Sequence, residues 1–253
     1  MADLIPISVQ LYSLRDALVE DFEGVIDRLA DIGFVSVEPY GGLPIPAEDA
    51  AKLFSSSGFK MVSAHLPPPV GDDKNKVLDM AAAYGIQRLA VPFFPPDQFA
   101  SIDSIKQLAD ILNEAHANAK AANLSLGYHN HWWEFYAVEG QIGYDVLLDN
   151  IDPAIFMEVD TYWVKTGGHD PVEVISRLGS RAPLLHIKDG PANTDDPMVA
   201  AGEGVMDIPG IVDAGGDHVE MLVVELDRCA TDMMTAVEDS FNYLVNEGLG
   251  HGR

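Results

Sequence analysis

Short apolar runs alternate along this chain with longer stretches in which apolar positions recur every three or four residues. The runs are PISVQL, FVSVEP, KMVSAHL, RLAVPFF, LSLGYH, IFMEVD, LLHIKD and MLVVEL. They begin roughly 25 to 40 residues apart. Each is rich in Val, Ile, Leu or Phe, as strands covered on both faces should be.

The stretches between them read as amphipathic helices. Phe22, Val25, Ile26, Leu29 and Ala30 follow i, i+3, i+4, i+7, i+8 spacing, and Gly33 stands where a C-cap belongs. Ile105, Leu108, Leu112, Ala115 and Ala119 form a second stripe, and Met234, Val237, Phe241 and Leu244 a third. Such stripes are core. Eight βα repeats predict an α/β protein, a single (β/α)8 TIM barrel of parallel strands over residues 1–253, with its active site at the C-terminal face. An open doubly wound sheet is the alternative, but no Gly-x-Gly-x-x-Gly follows the first strand to support a dinucleotide site. LPPPV and PFFPPDQF follow the third and fourth strands and read as rigid loops at the barrel mouth.

In a barrel the chemistry sits at the strand ends. Gln10 and Tyr12, Glu38, His65, Pro92 and Phe93, then His129, His131 and Glu134 stand there, followed by Asp160, His186, Lys188, Glu225 and Asp227. A single histidine in such a place is commonly a hydrogen-bonded core residue, and a single aspartate a turn or helix cap. Carboxylates and imidazoles converging from the fifth to the eighth strands point instead to a divalent metal site, because charged groups are costly to bury unless paired or metal-bound. Strand alternation puts Ser125, Gly127, His129 and His131 on the inner face, with Leu124, Leu126 and Tyr128 on the outer. Glu134 lies past the strand, free of that constraint.

Composition narrows the partners. The 253 residues carry 40 acidic against 15 basic side chains, a net charge of −25. Such a surface repels phosphate backbones and anionic lipid heads, so neither nucleic acid nor membrane is an expected partner. The acidity reads first as solubility. The one cysteine, Cys229, cannot form an internal disulfide, and no apolar run reaches the roughly 20 residues of a membrane span. With no signal peptide visible, the expected location is the cytoplasm.

The chain resembles the xylose-isomerase-like barrel superfamily, in the branch of sugar phosphate isomerases/epimerases. VQLYSLRD, VEPYGG, SAHLPPP, YHNHWWEF, FMEVDTYWVKTGG, LLHIKDG, GEGVMDI and VVELDR carry the likeness over nearly the whole length. The resemblance implies one divalent ion, manganese first, with magnesium, cobalt or zinc as alternatives. It assigns Asp160, His186 and Glu225 as three of four ligands. The family's glutamate on the fifth strand falls on His129 by parity, and Glu134 can supply the missing carboxylate. Glu134 is therefore the expected fourth ligand and His131 the general base, with His129 and His131 as the other candidates for that ligand position. Trp163 stands where the family often has a histidine. The Tyr-His-x-His arrangement is also similar to inosose dehydratases.

These assignments imply an isomerase or epimerase that removes an α-proton from a ketose or keto-sugar, the metal polarising the carbonyl and stabilising the enediolate. Expulsion of a β-substituent would instead make a lyase or dehydratase on a keto-sugar, keto-glycoside or keto-cyclitol. Lys188 and Arg228 are expected to steer substrate oxygens, Lys188 alternatively pairing with Asp160 or Asp189. Glu38, His65, Trp132, Trp133 and Trp163 are expected substrate contacts. No Lys or Arg lies between Asp189 and Asp227, where barrel phosphate sites usually sit, so the expected substrate is an unphosphorylated sugar or polyol. The endonuclease branch needs a basic groove that this chain lacks. A non-catalytic barrel serving as an accessory subunit is the remaining alternative, and a homo-oligomer is compatible with the resemblance.

Overall fold

Each apolar run contains a strand: β1 Ile5–Gln10, β2 Ser36–Glu38, β3 Ser63–His65, β4 Arg88–Val91, β5 Ser125–His129, β6 Phe156–Asp160, β7 Leu184–Ile187 and β8 Met221–Val224. The computed structural model describes residues 4–253. All eight strands run parallel. β1 pairs with β2 on one side and β8 on the other, and the ladder continues through β7, β6, β5 and β4 to β3. One parallel bridge, Tyr40 to His65, joins the β2 and β3 side, where the Gly41 N–H donates to the His65 carbonyl at 3.0 Å. The result is the nearly closed (β/α)8 barrel that the alternation predicts.

The three apolar stripes are buried faces of helices Phe22–Ile32, Ile102–Ala121 and Met233–Asn246. Gly33 ends the first with φ of 111°, a left-handed conformation, and returns its N–H to Leu29. Two features are too short for periodicity to reveal. A hairpin of Ala137–Val138 and Gln141–Ile142 follows β5, and Gly250–His251 pairs with β1 near the C-terminus. Among the described residues, no helix is long and apolar enough to cross a membrane.

The barrel interior is divided along its axis. Ala90, Phe156, Leu184, Met221 and Val223 form a small apolar cluster separate from the large core under the helices. Gly127 belongs beside them, because a Cβ there would run into the Phe156 ring. Two residues further along the strands the character changes. Phe156 gives way to Glu158 and Asp160, Leu184 to His186 and Lys188, and Gly127 to His129. The period of two keeps all of these on the inner face. An apolar plug thus closes the N-terminal end and supports a polar layer at the C-terminal end.

Candidate metal centre

Two groups of four side chains occupy the polar layer, and they share His129 and His186. The potential ligand atoms of His129, Asp160, His186 and Glu225 lie within 4.8 Å of one another, as do those of His65, His129, Glu158 and His186. All six residues are buried. The first group borders the open cavity through His129 and Glu225. The second borders it through His65 and His129 and reaches further down the strands to Glu158.

The two shared imidazoles face carboxylates on both sides. His186 Nδ1 is 2.7 Å from Glu225 Oε2, and its Nε2 is 2.9 Å from Glu38 Oε2 and 3.3 Å from Glu158 Oε2. His129 Nε2 is 3.5 Å from Asp160 Oδ2, and its Nδ1 is 3.3 Å from Glu158 Oε2. Burial pushes the His186 pKa down, but the attraction of Glu158 and Glu225 outweighs it and holds the ring well above its ordinary range. His129 goes the other way. Burial and the neighbouring His186 lower it to about 3, leaving it neutral.

Lys188 is the cation of the upper group. Its ammonium lies 2.8 Å from Asp160 Oδ2, 2.8 Å from Glu225 Oε2 and 2.7 Å from Asp227 Oδ2. Burial raises the Asp160 carboxyl to about 6 despite Lys188. Two imidazoles and two carboxylates from four successive strands are a donor set that suits a divalent ion. The Asp160 Oδ2 atom, buried without a well-aligned hydrogen bond, is the kind of atom a ligand would satisfy.

Above this layer opens a cavity of about 710 Å³. His65, His129, Glu225, Asp227 and Arg228 supply its polar wall, while Tyr12, Tyr40, Phe93, Trp132, Trp133 and Trp163 supply an aromatic one. Pro67, Pro68 and Pro92 of the proline-rich loops line its mouth, as their position in the sequence predicts. His131 lines the cavity too. Its ring stacks on Trp133 with centroids 4.5 Å apart and lies edge-on to Phe93 at 5.4 Å. Burial, with His129 and Lys188 adding to it, depresses the His131 pKa well below its ordinary value, so this ring is neutral. Trp163 packs against Trp132 at 4.6 Å and donates its backbone N–H to Asp160 Oδ1 at 2.9 Å.

Three expected roles change. Glu134 is absent from both four-residue groups. It turns behind β5, where Tyr128, on the outer face of the strand, donates its hydroxyl to Glu134 Oε1 at 2.7 Å. That position leaves Glu134 Oε1 4.0 Å from His131 Nδ1, so it stands behind the histidine and not beside Asp160 and Glu225. His129 takes the place beside them. Glu38 is not a cavity-lining residue: it is 1% exposed, and Gln10, Ser63 and His186 occupy its carboxylate. Lys188 is likewise absent from the cavity wall and pairs with Asp160, the alternative considered for it.

Glu158 is not among the expected site residues, because it lies two positions short of the strand end. The same alternation that turns Asp160 inward turns Glu158 inward as well, two residues earlier in FMEVD. The GEGVMDI segment also gains a physical role. Gly202, Gly204 and Met206 donate their backbone N–H groups to the Asp189 carboxylate at 2.9, 3.1 and 3.1 Å. Those amides are therefore occupied by the chain's own carboxylate.

Comparison with solved structures agrees with this architecture. A sugar phosphate isomerase/epimerase from Parabacteroides distasonis superposes with a TM-score of 0.82 at 28% identity, covering 96% of this chain and 94% of that one. The IOLI protein with a bound zinc atom has a TM-score of 0.76 at 13% identity, covering 97% and 98%. The probable 3-DHS dehydratase AsbF of Bacillus anthracis, involved in petrobactin synthesis, has 0.72 at 13% identity, covering 96% and 99%. The last two likenesses concern the fold. No curated protein sequence matches. The family model described as xylose isomerase-like TIM barrel matches residues 26–214, and the chain belongs to that family.

Proposed function

We propose that this protein is a divalent-metal-dependent isomerase or epimerase acting on an unphosphorylated ketose or keto-sugar by α-proton abstraction. The observation that carries the reading is the placement of His131, a neutral imidazole on the wall of a cavity bordered by His129 and Glu225. His129, Asp160, His186 and Glu225 would hold the ion, with manganese favoured by the paired carboxylates. When bound, a divalent ion there would polarise the substrate carbonyl and offset the negative charge that develops as the α-proton leaves.

The chain's own groups do the rest. His131 accepts the proton, and its parallel stacking on Trp133 fixes the plane of the ring. Trp132 and Trp163 present apolar faces on which the C–H face of a sugar ring can rest. Arg228 is the one Lys or Arg of the cavity lining and already donates to the Thr194 carbonyl, while Glu225 and Asp227 stand beside it. With the loop amides committed to Asp189, a phosphate would meet acidic neighbours and few free donors. This supports a neutral substrate despite the phosphate in the relative's description.

A lyase or dehydratase is the second reading. The cavity of about 710 Å³ exceeds the needs of one small sugar and gives an expelled group room against the aromatic wall. Both readings are tested by incubating the manganese-loaded protein with paired phosphorylated and unphosphorylated keto-sugars in D2O, with mass detection. An isomer or epimer keeps its mass apart from one deuterium where the abstracted proton has exchanged, whereas an elimination product has lost water or the expelled alcohol. Preference for the phosphorylated partner of each pair would sink the neutral-substrate reading, and the absence of both deuterium uptake and an elimination product with every sugar would sink proton abstraction.

A further inference from the structure

The deeper of the two groups has features of its own that the chemistry at the cavity does not use. Its four residues come from β3, β5, β6 and β7, and each is buried. Glu158 Oε2 lies at their centre, 3.3 Å from His129 Nδ1, 3.3 Å from His186 Nε2 and in closer contact with His65 Nε2. The two spacings of 3.3 Å from Glu158 are those between donors of a tetrahedral shell with bonds of roughly 2.0–2.1 Å. His129 Nδ1 and Glu158 Oε1 are buried there without a hydrogen-bond partner, and buried polar atoms normally have one.

Charge points the same way. Lys188 lies against Asp160, Glu225 and Asp227 in the upper group. Among the described residues, no Lys or Arg forms an ion pair with Glu38 or Glu158; their ion pairs are all with imidazoles. Around them, Glu38 is held by Gln10 Nε2 at 2.8 Å and by Ser63, so it is fixed in position to accept from His186 Nε2. A carboxylate behind a ligating imidazole is the usual outer support of a metal-bound histidine.

We propose that His65, His129 and Glu158 form a second divalent-cation site, of zinc type, which reaches one strand layer below the centre at Asp160, His186 and Glu225. Two imidazoles and one carboxylate suit zinc or cobalt, whereas the upper group, with its two carboxylates, suits manganese. The shared histidines need not bridge. His129 directs Nδ1 to the deep group and Nε2 to Asp160, and His186 directs Nε2 to the deep group and Nδ1 to Glu225. With His129 given to the deep centre and His186 to the upper one, each keeps three protein donors. Those are His65, His129 and Glu158 below, and Asp160, His186 and Glu225 above. The site does not depend on the reaction the cavity performs.

The test is zinc stoichiometry by elemental analysis after loading and exhaustive dialysis, joined to anomalous diffraction at the zinc edge. Two equivalents are expected in the unaltered protein, falling to one in both His65→Gln and Glu158→Gln. In Asp160→Asn and Glu225→Gln one equivalent is also expected, and its anomalous peak should lie among His65, His129 and Glu158. Two equivalents that survive both His65→Gln and Glu158→Gln would overturn the proposal. Should those variants fail to fold, the unaltered crystals decide. A peak within bonding distance of His65 and Glu158 supports the site, and a single peak at Asp160 and Glu225 overturns it.

Discussion

Tyr128 and Glu134 form a hydrogen bond of 2.7 Å on the outer side of β5, while the next residue, His129, points to the barrel axis. The carboxyl is fully buried, and burial raises its pKa to about 7, with the Tyr128 hydroxyl opposing the rise. A carboxyl whose folded-state pKa is raised binds its proton more tightly in the folded than in the unfolded chain. Stability is therefore lost as pH climbs from the ordinary carboxylate range through about 7. At about 1.4 kcal/mol per unit, the loss is on the order of 3 kcal/mol. Glu134→Gln removes the titration. Urea unfolding at about pH 5 and about pH 8 should show the variant gaining on the unaltered protein at the higher pH. Equal differences at both pH values would refute the assignment.

The same geometry predicts how metal retention divides. Asp160→Asn and Glu225→Gln each remove a charged donor from the group at the cavity floor. Manganese affinity should fall by more than about 100-fold in each, since even outer-shell changes cost 10–100-fold. Glu134→Ala should keep its manganese, because Glu134 lies outside both groups. Elemental analysis after gel filtration reads all three, and loss of manganese from Glu134→Ala would return that residue to the ligand set.

The barrel and half of this site were legible in the sequence for one reason: both rest on short-range periodicity. Alternation placed His129 on the inner face without reference to any partner, and applied one step deeper to FMEVD it would have found Glu158. Glu134 was not legible in this way. It follows the strand in a turn, and where that turn sends it depends on Tyr128, a residue whose outward direction is plain but whose hydroxyl needs a buried acceptor. The pairing of Lys188 with Asp160, Glu225 and Asp227 crosses three strands, and only the closed barrel fixes it. The use of the GEG amides by Asp189 is likewise a tertiary fact that no local pattern carries.

Lys188 offers a third prediction. Its ammonium is 1% exposed, and burial opposes its charge, but Asp160, Asp227 and Glu225 hold its pKa well above the ordinary lysine value. Lys188→Met strips the cation from two buried carboxylates. Breaking such a cluster should cost about 3–5 kcal/mol in the metal-free protein. A divalent ion can then neutralise the same carboxylates, so manganese should raise the melting temperature of Lys188→Met more than that of the unaltered protein. Thermal melts with EDTA and with manganese give the two differences. An equal manganese shift in both proteins would show that Lys188 has no bearing on the ion.

The last prediction concerns the base. His131 touches the cavity, stacks on Trp133, meets Phe93 edge-on, and takes no part in either four-residue group. His131→Asn should therefore retain manganese and lower kcat by about 10²–10⁴-fold, the usual contribution of a general base, with KM little changed. The pH profile gives an independent check. Because burial, His129 and Lys188 hold the His131 pKa well below the ordinary histidine value, the proton-free form persists on the acid side of neutrality. The acid limb of kcat should then lie below the ordinary histidine range, where an unperturbed histidine would already be failing. A limb centred on the ordinary histidine value, or full activity in His131→Asn, would assign the proton transfer to another group.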